Sequence, residues 1–555
     1  MANSKLGTTG VVLALFLVVT LPAAAQSFMV QCPDHTITHP TASDSEPAYV
    51  GPTYSGRAVY PSTPTHVNGA IKCQQISGGD GFATMGDGTQ TYLFAFGPLS
   101  GLANISNGQP GTVFPFEFNT PGPALSPGDP ATTNGVSANT WPGWSATTPL
   151  LSTASFPWNG AVGLAPDIDA NNGNGVPTGP MTGHVDPRPI MDIGVMNGNI
   201  PAPLMALDED DEFFLTLTNV GQVMRPDLFE QHTVHFHGYP NASAFYDGVP
   251  DASVAINIGG SFTYYYLAPE AGTYFWHCHI TPPEHLQMGM VGQIYVRPRQ
   301  NRWGSGLYAG LQQQQLDLRT RCDNHDILCS NPLPAASNSV QHASNKSGSP
   351  TLYAYNDGDG TTAYDVEYPL QMHGFDPNFH FVGMTFNPEG FTDMKDKYFL
   401  LNGRSYPDTV TPGPLATQTT DGLMHFSQPM SSIINIPAGG RALLRISSLD
   451  VTEYQTLASL GIPMQVIALN AKLLRDQAGN NLYYNTNSIT LAGGESLDVI
   501  LDATNYTRGQ TFYLYTPNLD HLSNDAENFG GLMTEVHICD SVDPDTRVGT
   551  GCSSN

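Results

Sequence analysis

The stretch GTYFWHCHITPPEHLQMGM, residues 272–290, opens as an aromatic-rich strand and closes on a cysteine held between two histidines, with a further histidine and two methionines just beyond. Successive strand residues point to opposite faces, so His277 and His279 share one face while Cys278 takes the other. Upstream, HTVHFHG (residues 232–238) shows the same parity: His235 and His237 fall on one face and His232 on the other. Pairing the two strands sorts these side chains into two sets of donors. One is His232 with Cys278, joined by His285 and Met290 from the following loop; the other is four imidazoles, His235, His237, His277 and His279.

Two imidazoles, one thiolate and a weak axial thioether make up the donor set of a blue-copper centre, whose work is one-electron transfer. Thiolate and thioether suit Cu(I), and imidazole suits both oxidation states. Met288 is also a thioether, but Met290, five residues past His285, has the spacing expected of the axial ligand. The four-imidazole face reads as half of a larger copper cluster beside the first site. Because His277 and His279 flank Cys278, covalent links join the two sets. Zinc is the main rival ion, yet thioether is a poor zinc ligand and structural zinc sites prefer several cysteines. A lone HxH pair is weak evidence of metal, and a free cysteine is often a buried small hydrophobe. The coincidence of ligand type, spacing and strand parity outweighs those readings.

Away from these segments the chain reads as strands. FFLTLTNV, SFTYYYLA, GQIYVRP, SSIINIPA, RALLRISSL, MQVIAL, SLDVILDA and TFYLYTP are short, rich in Val, Ile, Thr and aromatics, and parted by Gly, Pro, Asn and Asp turns. They predict an all-β protein of sandwiches of antiparallel strands with little helix. At 555 residues the chain exceeds what one core sustains. The division read from it is a signal peptide over 1–25, an N-terminal extension over 26–75, a copper-binding sandwich over 76–300 whose first strand is TYLFAF, a linker over 301–350, a second sandwich without copper ligands over 351–540 and a tail over 541–555. Residues 101–186, rich in Gly, Pro, Asn, Thr and Ser with no sustained period, read as a loop-rich insertion in the first sandwich.

The opening residues MANSKLGTTG, VVLALFLVVTL and PAAAQ carry a lysine, an apolar run and small residues, the pattern of a secretory signal cut after Ala25. No later stretch has the length of unbroken apolar residues that a membrane helix needs. The expected location is secreted, extracellular or periplasmic. Disulfides are then permitted, and six of the seven cysteines fall into local pairs, Cys32 with Cys73, Cys322 with Cys329 and Cys539 with Cys552, leaving Cys278 free; other connectivities stay open. The formal charge of −28, from 20 Lys plus Arg against 48 Asp plus Glu, repels nucleic acid and anionic lipid and attracts metal cations or a basic protein partner.

His373 and His380, in QMHGFDPNFHF, lack partner spacing and read as structural or supporting residues. His521 lies in a loop segment from which it could reach a neighbouring subunit. Asp247 and Asp251, in YDGVPD, read as turn residues, with proton delivery the less favoured role.

Together these motifs resemble the multicopper oxidases. HTVHFHG is similar to the family's HxxHxHG segment and HCHITPPEHLQMGM to its HCHxxxHxxxxM segment. The resemblance implies two cupredoxin-like Greek-key β-sandwiches. It also implies type 1 copper on His232, Cys278, His285 and Met290, and a type 2/type 3 cluster on His235, His237, His277 and His279. FLLNGRSYPD, IINIPAGGRALLRISS, MQVIALNAK and LAGGESLDVILDA resemble a domain of the family that binds no copper, so the likeness runs over most of residues 185–540. In detail it points to bacterial extracellular multicopper oxidases linked to manganese or iron oxidation.

The chain departs from the family pattern in two ways. Six residues, rather than the usual four, separate Cys278 from His285, a longer loop that also occurs in copper nitrite reductases. The family's oxygen site takes eight histidines, whereas this chain supplies four and reads LGIPMQVIAL and FYLYTPNLD where the others would stand. Completing the site would take another polypeptide or another subunit's face. The nitrite reductases match in the spacing of His232 and His237, but Ile462 and Asn518 replace the expected partner histidines and His235 stands where that family has its catalytic Asp.

The expectation is therefore a secreted copper oxidoreductase. A reduced donor, whether a small molecule such as a phenol or a metal ion such as Mn(II) or Fe(II), yields an electron near His285, and Cys278 carries it toward the histidine cluster and dioxygen. A redox protein partner and a homo-oligomer that pools histidines are both admitted. The alternative is an extracellular blue-copper electron-transfer or scaffold protein lacking a complete oxygen site, and nitrite reduction ranks below both.

Overall fold

Runs of β-branched and aromatic residues become strands because such side chains fill a pleated surface buried on at least one face. The computed structural model describes residues 71–98, 198–302, 352–383 and 390–552, apart from short stretches between elements, together with the two-residue strands Ala165–Pro166 and Val185–Asp186. The segment read as a signal peptide, nearly all of the 101–186 insertion and residues 303–350 of the linker lie outside the described residues, as do Cys32, Cys322 and Cys329.

The first sandwich contains β1 (Ile71–Thr84), β2 (Gln90–Pro98), β3 (Met205–Asp208), β4 (Glu212–Gly221), β5 (His235–His237), β6 (Ser261–Leu267), β7 (Gly272–His277), the short helix α1 (Pro282–Gln287) and β8 (Val291–Arg297). One sheet runs β2-β1-β4-β6 and the other β3-β8-β7-β5. Their facing sides bury Phe94, Phe96, Leu215, Leu217, Tyr264, Trp276 and Ile294, each large side chain contributing about 1.5–3 kcal/mol.

Two sequence expectations are corrected here. The first strand is not TYLFAF but IKCQQISGGDGFAT, which starts at Ile71, inside the segment read as an extension. Its glycines hid it, and their purpose is close approach: a Cβ at Gly81 would collide with the carbonyl of Gly198, and one at Gly78 would lie 2.7 Å from His232 Cδ2. The sheets are also mixed rather than purely antiparallel, since β1 runs parallel to β4 and β3 parallel to β8. A parallel pair needs a long crossover, and the stretch between β2 and β3 supplies one.

The second sandwich contains β9 (Val366–Phe375), helix α2 (Pro377–Gly383), β10 (Tyr398–Leu401), β11 (Ile434–Pro437), β12 (Arg441–Ser448), β13 (Gln455–Leu460), β14 (Met464–Leu469), β15 (Lys472–Leu473), β16 (Tyr484–Thr486), β17 (Ser488–Leu491), β18 (Glu495–Asp502), β19 (Thr511–Tyr515) and β20 (Met533–Cys539). One sheet runs β10-β9-β12-β18-β14-β15, with β16 on β14, and the other β11-β20-β19-β13-β17. β9 runs parallel to β12, and β11 parallel to β20, repeating the mixed pattern of the first sandwich. A disulfide joins Cys539 to Cys552, while Cys278 is free and buried.

Polar groups stitch the two sandwiches together. Glu367 accepts from both Arg297 and Arg445, with all three side chains buried, and Gln293 donates to the Arg445 carbonyl and to Ser447 Oγ at 3.0 Å each. Among the described residues no helix is long and apolar enough to cross a membrane.

Candidate metal centre

β7 ends at His277, so Cys278 falls just past the strand yet stays pinned to it: its N–H donates to the Met290 carbonyl at 3.1 Å. Between them the chain makes the single helical turn α1 and returns, with the Met290 N–H donating to the His285 carbonyl at 2.9 Å. His232 is fixed by a two-way backbone bridge to Ile256. The ligand atoms of His232, Cys278 and His285 all lie within 4.8 Å of one another, and His285 Nδ1 is 3.2 Å from Cys278 Sγ. A Cβ built on Gly78 would meet both His232 and the Met290 methyl, at 2.7 and 3.3 Å, so both side chains border the same glycine. His232, Cys278, His285 and Met290 are all fully buried. Met288 is buried in the surrounding core.

The electrostatics suit a metal. Both ring nitrogens of His232 are buried with no hydrogen-bond partner among the described residues, as is Nε2 of His285. Leaving such a group unpaired costs about 1–3 kcal/mol, which a cation bound through one nitrogen of His232 would recover for that nitrogen. Burial, then repulsion from His285, holds the His232 imidazole well below its usual range, in the neutral form that a ligand requires. His285 is also driven down by burial, but the charge and hydrogen bond of Cys278, with Glu230, outweigh this and lift it to about 9. The Thr233 N–H donates to Cys278 Sγ at 3.4 Å.

The second donor set lies on the other face. His235 sits directly across from His277 in the β5–β7 register, and the ligand atoms of His235, His237 and His277 fall within 4.8 Å of one another. His237 Nε2 and His277 Nε2 are 2.8 Å apart. Outer hydrogen bonds orient two of these rings: His235 Nδ1 donates to the Asp247 carbonyl at 2.6 Å and His277 Nδ1 to the Cys278 carbonyl at 2.7 Å, so Nε2 is the nitrogen each would offer to a metal. Burial first, then neighbouring imidazoles, takes His237 down to about 4; burial takes His277 to about 3. His279 lies alongside, its ring centroid 4.9 Å from that of His235, but outside the three-residue group. Apart from buried His277, these histidines are half-exposed.

Sequence reasoning undervalued Asp247. Besides its carbonyl bond, its carboxylate lies 3.6 Å from His235 Nδ1, and a Cβ at the following Gly248 would strike the Val234 carbonyl, so the glycine is what lets the turn reach the strand. Glu230 was not singled out, yet its carboxylate is 3.5 Å from His285 Nε2. No motif marks it. His521 is corrected: it is buried, stacked on Phe399 and bonded to Gln455 and Glu453, so it is not available to a neighbouring subunit.

A sequence profile of multicopper oxidases matches residues 182–301, the segment that carries both donor sets. This segment is a multicopper oxidase domain. The chain is 35% identical over 109 residues to laccase abr2 of Aspergillus fumigatus, covering 19% of this chain and 17% of that one. It is equally 35% identical over 109 residues to a copper-containing nitrite reductase of Rhizobium meliloti, covering 19% of this chain and 26% of the relative. The matches thus span roughly a quarter or less of these relatives' lengths. Among solved structures, the blue copper oxidase of Nitrosomonas europaea aligns with 22% identity over 61% of this chain and 77% of its own, at a TM-score of 0.40. Multicopper oxidases bind copper, and the buried His, Cys and His group here has the donor chemistry for it.

Proposed function

We propose that the protein is an exported copper oxidoreductase of the multicopper oxidase type, which takes electrons from a reduced donor and delivers them to dioxygen. His232, Cys278, His285 and Met290 would hold type 1 copper, and His235, His237, His277 and His279 would contribute to a second copper site. The observation that carries this reading is His232, fully buried with both ring nitrogens unpartnered among the described residues and within 4.8 Å of the Cys278 and His285 ligand atoms. Copper bound there would supply one-electron oxidation.

The chain's own residues organise the rest. Glu230, partly exposed and facing His285 Nε2 at 3.5 Å, marks the edge at which a donor meets the site, and its carboxylate favours a cationic donor such as Fe(II) or Mn(II) over an anion. A net charge of −28 raises the local concentration of such cations, while phenols remain admissible donors. The segment His277, Cys278, His279 ties the two donor sets together through consecutive peptide units.

A second reading is favoured by one observation. Among the described residues only two groups of potential ligands occur, and both lie in the first sandwich. An extracellular blue-copper carrier would need just the first. Metal analysis with oxygen uptake separates the two: more than one copper per chain and oxygen consumption with a phenol or ferrous donor support the oxidase, whereas one copper and no consumption leave the carrier.

A further inference from the structure

The loop that carries His285 and Met290 begins with a fault of its own making. Thr281, the residue before α1, has φ of +38°, a left-handed conformation that a β-branched residue adopts only where its surroundings enforce it. Helix α1 is only six residues long, and no side chain caps its first turn. Such a turn does not hold itself in place.

The second sandwich grips it from outside. His373 Nε2, on β9, donates to the Leu286 carbonyl at 2.9 Å, and His380 Nε2, on α2, lies 2.9 Å from the Gln287 carbonyl. The other nitrogen of His380 lies 2.7 Å from the Tyr92 carbonyl on β2; the neutral ring donates its one N–H to one of these two carbonyls and packs between the loop, α2 and the strand whose Phe94 packs on His285. The Gln287 side chain completes the clamp, donating to Asp396 Oδ1 at 2.8 Å and accepting from the Asp376 N–H at 3.3 Å. Asp376 in turn accepts from the N–H groups of Asn378 and Phe379 at the start of α2, and Phe379 packs into the core that holds Cys278 and Met290. His373, Asp376, His380 and Gln287 are all buried.

We propose that the second sandwich, which carries no group of potential ligands among its described residues, serves as a clamp for the copper-ligand loop, with His373, His380 and Gln287 as positioning residues that fix where His285 and Met290 stand. The proposal rests on the reading of His285 and Met290 as copper ligands, but the clamp itself exists without metal. It gives a role to the QMHGFDPNFHF segment, and to a loop two residues longer than usual, which has more backbone to be restrained.

The test uses the full-length chain with and without copper. Hydrogen exchange of the 284–290 amides in the metal-free protein reads the clamp alone, while the visible and spin-resonance spectra of the copper-loaded protein read its consequence for the site. His373→Ala and Gln287→Met are expected to speed exchange of these amides roughly fivefold to tenfold and to alter the copper hyperfine splitting. His373→Gln, which places an amide N–H near the former Nε2, restores both. Ser447→Ala, which removes a cross-sandwich bond that does not touch the loop, leaves both unchanged. The proposal is overturned if His373→Ala and Gln287→Met exchange and absorb as the parent does, or if Ser447→Ala produces the same changes. Should His373→Ala fail to fold, Gln287→Met decides from the loop's own side. Faster exchange in a protein that forms no coloured copper complex would uphold the clamp and remove the ligand reading.

Discussion

Cys278 Sγ lies 3.2 Å from His285 Nδ1, although six residues separate them along the chain. The contact closes a loop that brings a sulfur and an imidazole to one point in a dry core, with His232 arriving from a neighbouring segment. A metal bound there would displace any proton these ligand atoms carry, because ligands bind deprotonated. Metal uptake should therefore release protons and weaken at acid pH.

Gly78 lines the site without entering it. Gly78→Ala would bring a methyl to 2.7 Å from His232 Cδ2 and 3.3 Å from the Met290 methyl, so the imidazole or the thioether must shift. The expected result is a folded protein destabilised by about 1–3 kcal/mol with altered copper spectra. Thermal unfolding and spin resonance check it.

At the second donor set, Asp247→Asn keeps the carbonyl bond to His235 but removes the carboxylate 3.6 Å from Nδ1. Loss of such an outer partner lowers metal affinity by roughly tenfold or more. Metal titration should show this loss at the second site alone, with the thiolate colour of the first unchanged.

The parity of His232, His235 and His237 against His277, Cys278 and His279 was readable in the sequence because a strand has a period of two, and the structure separates the two groups accordingly. Other features were hidden for physical reasons. β1 escaped because its glycines, needed for close approach to His232 and Gly198, erase the strand pattern. The parallel pairs escaped because hairpin signals are local and crossovers are not. His373, His380 and Glu230 act through contacts made about 50 to 290 residues away in sequence, which no spacing rule reports.

Asp396 gives a pH dependence. Burial first and the charge of Asp450 second push its carboxyl from 3.8 up to about 8, against hydrogen bonds from Thr452 and Gln287. The folded state then keeps a proton that the unfolded chain releases between about pH 4 and pH 8. Stability from this group is therefore fully present at acid pH and falls as pH rises through that window, at up to about 1.4 kcal/mol per unit. Asp396→Asn should flatten the slope in denaturant titrations run from pH 5 to pH 8.

Glu367 behaves in the opposite sense. Burial raises its carboxyl, but Arg297 and Arg445 overcome this and hold it at about 2, so the triad stays charged down to that pH. Glu367→Gln removes a counter-charge shared by two buried guanidinium groups and should cost about 3–5 kcal/mol, read from unfolding midpoints.

The central claim is that Cys278 and its three neighbours hold copper. Copper content and visible absorbance, measured side by side on the parent protein and on Cys278→Ser, test it most directly. The account predicts an intensely coloured parent with at least one copper per chain, and a folded variant that has lost the colour while the histidine set still takes up metal. A parent that binds no copper, or a Cys278→Ser protein that keeps the colour, would contradict it.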